Sequence, residues 1–282
     1  MFQRLKKLST RSSAQAHWKT KKTGKQPSLD RYVLVLSGGG TRGFYTLWVL
    51  KALEEAGLKD RVDAIYGISI WAIFGCYRAA GRTAQDMFNH AKKLPLFSSS
   101  WINVFPKQHV LNTKPLQEYF ELDLPARLED LSIKTYIGAT DIYTAQLKLF
   151  GEGELLPPLL WSMALPGIFP GVKYQHFLLH DGGIVDNFPT TIAQQRYPNH
   201  KIIGVALNKP ETHSEPKNLI STLTTTFEIM MWKEVSEKLD QIFIAFYEKI
   251  DCLVLDLRKT KRKKAFDQGY LSGIKKFSKL NT

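Results

Sequence analysis

The spacing of apolar and polar residues changes period repeatedly along this chain. Short apolar runs at Tyr32–Leu36, Val62–Tyr66, Lys134–Thr140, Gln146–Phe150 and Lys201–Leu207 read as strands, with Asp251–Leu255 as the last. Between them, apolar residues recur at helical spacing. Phe44–Ala56 carries Leu47, Leu50 and Leu53 on one face, with Gly57 where a helix C′ glycine belongs. Ile70–Ala80 is a second helix ended by Gly81, and Phe227–Phe246 reads as one long helix. Strands alternating with helices predict a three-layer α/β/α fold around a mostly parallel central sheet, covered on both faces. There is no internal repeat.

Composition narrows the setting. A chain of 282 residues with 44% hydrophobic content can bury a large core. Two cysteines, Cys76 and Cys252, cannot build a disulfide framework, which points to a reducing compartment, and both read as small buried hydrophobes. No run of 18 charge-free apolar residues is present, and the N-terminus lacks a signal-peptide hydrophobic region. The formal charge of +13 is unevenly spread. Residues 1–30 form a basic extension, and a second cluster runs from Arg258 to Lys264. Such arms suit nucleic acid or an anionic membrane surface, or are simply solvated tails. Phe2, Leu5 and Leu8 fall at helical spacing among Arg4, Lys6 and Lys7, as in a short interfacial helix. An acid-poor, Arg- and Ser-rich start is also compatible with an organelle transit peptide. Ser278-Lys279-Leu280 is not a peroxisomal address, because Asn281 and Thr282 follow it.

Three short segments carry chemistry. Gly38-Gly39-Gly40-Thr41-Arg42-Gly43 follows the first strand and opens the first helix. It has the spacing of a dinucleotide loop, but the next strand ends in Gly67-Ile68-Ser69 with no acid to hold a ribose, and no Gly-Lys-Ser/Thr follows. What remains is a loop of amide donors at a helix N-terminus, suited to an oxyanion, with Arg42 adding positive charge. Ser69 lies between a buried strand and a helix, on the sharp turn that exposes a nucleophilic hydroxyl; alone, it would read as an N-cap. Asp181-Gly182-Gly183 places a carboxylate at a strand end. Nucleophile, base and anion cradle are the parts that acyl transfer needs. His180 adjoins Asp181 but points to the opposite face of its strand, so it reads as structural. No group of His, Cys and carboxylates has ligand spacing, so neither metal nor cofactor is implied.

In these motifs the chain resembles the patatin-like phospholipases over roughly residues 32–275. The glycine loop, the serine turn and the aspartate turn occur in the family's order. Weaker stretches agree: Ala139-Thr140-Asp141, the segment Ser162–Pro170, and Asn187-Phe188-Pro189. The resemblance implies a patatin-like lipid acyl hydrolase fold, with residues 31–282 as one domain. It implies a Ser69–Asp181 dyad without histidine. It also implies an oxyanion hole from Gly38, Gly39, Gly40, Arg42 and Gly43, with Gly67, Gly182 and Gly183 shaping the elbow and the base turn.

One position departs from the family. Trp71 stands where the family's G-x-S-x-G elbow has its second glycine. If strand and helix backbones meet there, an indole must push the helix away or point into the pocket. Two function classes follow. One is a phospholipase A or lysophospholipase-type hydrolase acting on acyl lipid at an anionic membrane surface. The other is a catalytically impaired domain that binds lipid or regulates. Nucleic-acid binding fits poorly, since no reading motif or aromatic–basic interleaving is present. The expected location is cytoplasmic, peripheral to the inner face of a membrane. Residues 94–111 fit neither period and carry Phe97, Trp101, Phe105 and two prolines. They read either as a lid or interfacial patch over a lipid site, or as a loop folded onto the core by its own aromatics.

Overall fold

The computed structural model describes residues 30–39, 43–93, 114–206, 218–246 and 270–278. The basic N-terminal extension, the 94–111 loop, the expected Asp251–Leu255 strand, the Arg258–Lys264 cluster, Gly40 and Arg42 lie outside the described residues.

The chain runs β1 (Tyr32–Leu36), α1 (Gly43–Glu55), β2 (Val62–Ile68), α2 (Ile70–Ala79), α3 (Ala84–Lys93) and α4 (Lys114–Glu121). It continues through β3 (Lys134–Asp141), β4 (Gln146–Phe150), α5 (Leu156–Ser162), β5 (Val172–Tyr174) and β6 (Phe177–Asp181). Then come α6 (Thr190–Arg196), β7 (Lys201–Val205), α7 (Leu219–Ser236) and β8 (Ile244–Phe246). The strands form one eight-stranded sheet in the order β5-β6-β3-β2-β1-β7-β8, with β4 on the other edge of β3. The pairs among β8, β7, β1, β2 and β3 are parallel, whereas β3–β4, β3–β6 and β5–β6 are antiparallel.

β1 shows why the sheet is central. All five of its residues are buried, and successive side chains go to opposite faces. Tyr32, Leu34 and Leu36 join a cluster with Leu47, Leu50 and Leu53 of α1 and with Ile73 and Phe74 of α2. Val33 and Val35 join Phe188, Ala193 of α6 and Val235 of α7 on the other side. A continuous apolar run, rather than an alternating one, is what a doubly covered parallel strand requires.

The expected helix over Phe227–Phe246 is corrected at both ends. It starts earlier, at Leu219, behind a reciprocal cap in which the Asn218 side chain accepts from the Ser221 amide and the Ser221 hydroxyl accepts from the Asn218 amide. It stops at Ser236. A single 3-10 turn at Leu239–Gln241 then leads into β8. The run Ile242–Phe246 completes the edge of β7: the Phe243 amide donates to Ile202 and the Ala206 amide to Phe246. Pairing with an open strand edge outweighs helical periodicity there.

Candidate active site

The register of β3 brings the two key motifs together. β2 pairs with β3 up to Ile68 opposite Gly138, and β6 pairs with β3 from Asp181 opposite Ala139. β4 occupies the other edge of Ile137–Asp141, so β2 and β6 share one edge and end on adjacent positions of the same strand. The chain then turns into α2 immediately after Ile68. Ser69 Oγ consequently donates to Asp181 Oδ2 at 2.6 Å, across 112 residues of sequence.

Ser69 has φ 58° and ψ −134°, a left-handed φ that costs a side-chain-bearing residue on the order of 1–3 kcal/mol. Two bonds hold it there. Its amide donates to Ser162 Oγ at 2.8 Å, and that hydroxyl donates onward to the Gly138 carbonyl at 2.6 Å. Gly67 supplies the room. A Cβ at Gly67 would lie 2.6 Å from Ala72 Cα and 2.9 Å from the Trp71 carbonyl oxygen. The close approach of strand and helix therefore falls on Gly67, against the backbone of residues 71 and 72. This corrects the steric expectation for Trp71: the helix is not pushed away. The indole is only 3% exposed, belongs to the cluster shared by β1, α1 and α2, and meets the Phe74 ring edge-on at 5.5 Å. Among the described residues, none accepts from its Nε1–H.

Asp181 is 5% exposed. Burial pushes its carboxyl up from 3.8 to about 6, held back by the Ser69 hydroxyl and the Gly183 amide, which donates to Oδ1 at 2.9 Å. The turn behind it is tight: a Cβ at Gly182 would meet the Gly138 carbonyl oxygen at 2.5 Å, and one at Gly183 would meet Asn187 Oδ1 at 2.8 Å. Thr140 Oγ1 donates to the Gly182 carbonyl at 3.3 Å. His180 is engaged elsewhere, with its Nδ1 3.0 Å from the Ala164 carbonyl.

The glycine loop leaves β1 next to the end of β2, since Leu36 pairs with Gly67. Its first residues, Gly38 and Gly39, thus lie at the carboxyl edge of the parallel strands, where open α/β sheets bind ligands. Gly38 is within contact of the serine, because a Cβ there would sit 3.2 Å from Ser69 Cβ. The Gly38 amide does not face a substrate, however. It donates to Asn187 Oδ1 at 2.9 Å, and Asn187 Nδ2 donates back to the Gly38 carbonyl at 3.3 Å. Gly38 is therefore an anchor of the loop, which corrects its expected part as a donor. Gly43 opens α1. Asn187 is tied in turn to α7: its amide donates to Glu234 Oε2 at 2.9 Å, and Lys238 pairs with Glu234 and, at 2.8 Å, with Asp186. Burial and then the neighbouring Asp186 push the Glu234 carboxyl upward.

Ser162 and Asn187 lie in stretches noticed in the sequence, but their bonds to Ser69 and Gly38 were not legible there. Among the described residues no cluster of His, Cys, Asp and Glu could hold a metal ion.

Three-layer α/β proteins with a serine elbow at the carboxyl edge of the sheet form a recognisable class, and sequence similarity narrows it. The sequence model of the patatin-like phospholipases matches residues 34–193, more than half of the chain, and the chain belongs to that family. It is 31% identical over 176 residues to lysophospholipase NTE1 of Kluyveromyces lactis, covering 58% of this chain and 12% of that protein. It is 32% identical over 173 residues to human patatin-like phospholipase domain-containing protein 6, covering 57% of this chain and 12% of that protein. The chain thus corresponds to only a small part of these relatives. In fold it is similar to the crystal structure of VipD from Legionella pneumophila, with a TM-score of 0.51, 14% identity, and 89% of this chain and 67% of that chain covered.

Proposed function

We propose that this chain is a serine-dependent lipid acyl hydrolase of the phospholipase A or lysophospholipase type. The observation that carries this reading is the 2.6 Å hydrogen bond from Ser69 Oγ to the buried Asp181. Asp181 accepts the hydroxyl proton as Ser69 Oγ attacks the ester carbonyl. As the family resemblance implies, the Gly39 and Gly40 amides receive the charge that develops on the carbonyl oxygen, with Arg42 as a further positive group of that loop. The ester C–O bond breaks and the alcohol leaves with the proton from Asp181. A water, deprotonated by Asp181, then attacks the acyl-serine, releasing the fatty acid and restoring Ser69.

The electrostatics of Asp181 fit this task. A carboxyl with a value near 6 is ionised at neutral pH, yet is a stronger proton acceptor than a solvated aspartate. The substrate class comes from the family and from the relatives named lysophospholipase. The charge of +13 supports work at an anionic lipid surface, on the cytoplasmic side of a membrane. No helix among the described residues is long and apolar enough to cross a membrane.

A second reading rests on Trp71. A buried indole at the elbow, whose N–H meets no described acceptor, would make the site a lipid binder with little or no turnover. The intact positive-φ elbow and the short Ser69–Asp181 contact favour the active site over the silent one. The deciding experiment is fatty-acid release from mixed phospholipid vesicles by the native chain, Ser69→Ala and Trp71→Gly. Release that is lost in Ser69→Ala supports the hydrolase. A silent native chain alongside an active Trp71→Gly supports the impaired domain.

A further inference from the structure

α7 carries apolar residues on two sides. Its buried side is committed to the site. Met231 Sδ lies 3.0 Å from where a Gly183 Cβ would be, Glu234 accepts from the Asn187 amide, and Val235 is fully buried. Its opposite side is apolar and exposed among the described residues. Leu219, Leu223, Ile229 and Met230 are 73, 40, 56 and 53% exposed. With Thr222, Thr226 and Lys233 they occupy a face about 120° wide and about 20 Å long, at 3.6 residues per turn and 1.5 Å per residue.

Three observations indicate what that face meets. The first is charge. Of the three charged residues in α7, Glu228 is only 4% exposed and Glu234 is turned towards Asn187, which leaves Lys233 exposed on the outer face. The exposed Glu237 caps the end of this face, so Lys233 is the charge within it, and the chain as a whole carries +13. The second is the state of the hydroxyls. Thr222 Oγ1 donates to the Asn218 carbonyl at 3.0 Å and Thr226 Oγ1 to the Thr222 carbonyl at 2.9 Å. Their donors are satisfied within the helix, so taking this face out of water leaves no hydroxyl proton unpaired. The third is position. The same helix abuts the Asp181 turn, so a surface seated on its outer face lies one helix diameter, roughly 10 Å, from that turn.

We infer that the outer face of α7 is the surface on which this chain docks to an anionic phospholipid bilayer. This rests on the lipid-hydrolase reading for the choice of a lipid surface as occupant. Apolar side chains seat at the acyl boundary, Lys233 meets the headgroups, and the inner face holds Asn187 and the Asp181 turn close to the interface.

The test uses the full chain, its Ile229→Glu/Met230→Glu variant and, as a second disruption, Leu219→Ser/Leu223→Ser. None of these residues belongs to the proposed site. Binding is measured by cosedimentation with vesicles of phosphatidylcholine, with and without phosphatidylglycerol. Hydrolysis is measured on the same vesicles and on the water-soluble ester 4-nitrophenyl butyrate. We expect each variant to bind phosphatidylglycerol vesicles at least about tenfold more weakly, and to release fatty acid from them correspondingly more slowly, since exposed apolar contacts supply the seat. Soluble-ester turnover should stay within about twofold of native, because the inner face is untouched. Native-like vesicle binding by both variants overturns the inference, as does a native chain that binds no vesicles. A change in self-association with vesicle binding unchanged also overturns it and makes the face a contact between copies. If the native chain hydrolyses neither substrate but vesicle binding still falls in the variants, the docking surface stands and the hydrolase reading fails.

Discussion

Asn187 grips Gly38 from both sides, accepting its amide at 2.9 Å and donating to its carbonyl at 3.3 Å. The residue that starts the glycine loop is thus held by the segment that follows the aspartate turn. One side chain ties the start of the loop to the segment that follows the base. Asn187→Ala removes both bonds. We expect kcat for ester hydrolysis to fall by about 10–1000-fold, the scale of misplacing an oxyanion donor, with KM changed much less. An unchanged kcat would show that the loop holds its shape without Asn187.

Ser162 joins the Ser69 amide to the Gly138 carbonyl and is fully buried. Ser162→Ala leaves both groups without that partner, at about 1–3 kcal/mol for each buried unsatisfied group. Urea unfolding should show the loss of stability, and kcat should fall because the elbow at Ser69 is less firmly held. Ser162→Thr, which keeps the hydroxyl, should recover part of both.

The elevated value of Asp181 makes a prediction about pH. The base must be ionised, so kcat/KM should be low in acid, rise through about pH 6 and level off above it. A profile whose acid limb falls near 4 would mean that another group governs the rise.

Stability should run the other way. The folded value of about 6 lies above the ordinary 3.8, so between these values the folded protein holds a proton that the unfolded chain releases. The contribution is most favourable below about pH 4 and is lost as pH rises through 6. A shift of this size corresponds to about 3 kcal/mol at neutral pH. Asp181→Asn should therefore be inactive yet more stable than native at pH 7, by up to about that amount, with the advantage shrinking towards pH 4. Chemical denaturation at both pH values measures this, and equal stability throughout would place the carboxyl in a wetter site.

Trp71 fills core volume beside Phe74, so its removal is not a neutral edit. Trp71→Gly should cost about 3–5 kcal/mol from the cavity and about 1 kcal/mol more from glycine within a helix. Trp71→Phe should retain most of the stability. Activity comparisons at this position therefore need the unfolding midpoint of each variant measured alongside.

Much of this architecture was legible in the residues. The buried run Tyr32–Leu36 and the helix behind Gly43 follow from local pattern alone, whereas Ser69, which alone reads as an N-cap, becomes an elbow through its place after the second strand and the family resemblance. The partnership of Ser69 with Asp181 followed from the family resemblance. The register that makes it possible did not, because pairing on β3 is a long-range choice that no window of sequence contains. For the same reason close approach is expected at both flanks of the elbow and is found on the Gly67 side, against the backbone of residues 71 and 72. Motif spacing says which positions are small, not which of them faces a neighbouring backbone. The overlong helix at Phe227–Phe246 failed for a related cause: Ile242 to Phe246 satisfy either period, and only the free edge of β7 decides between them.

The end-to-end arrangement of β2 and β6 along β3 has a consequence for how such a chain can diverge. The distance between Ser69 and Asp181 is measured off by neighbouring rungs, Gly138 and Ala139, and not by the length of chain between them. Connections before and after β3 are therefore free to lengthen, shorten or be exchanged, while a single-residue insertion within Gly138–Asp141 would shift one partner by a full rung, about 3.3 Å, and turn its side chain to the other face. Tolerance to insertion in this chain should be a map of one strand.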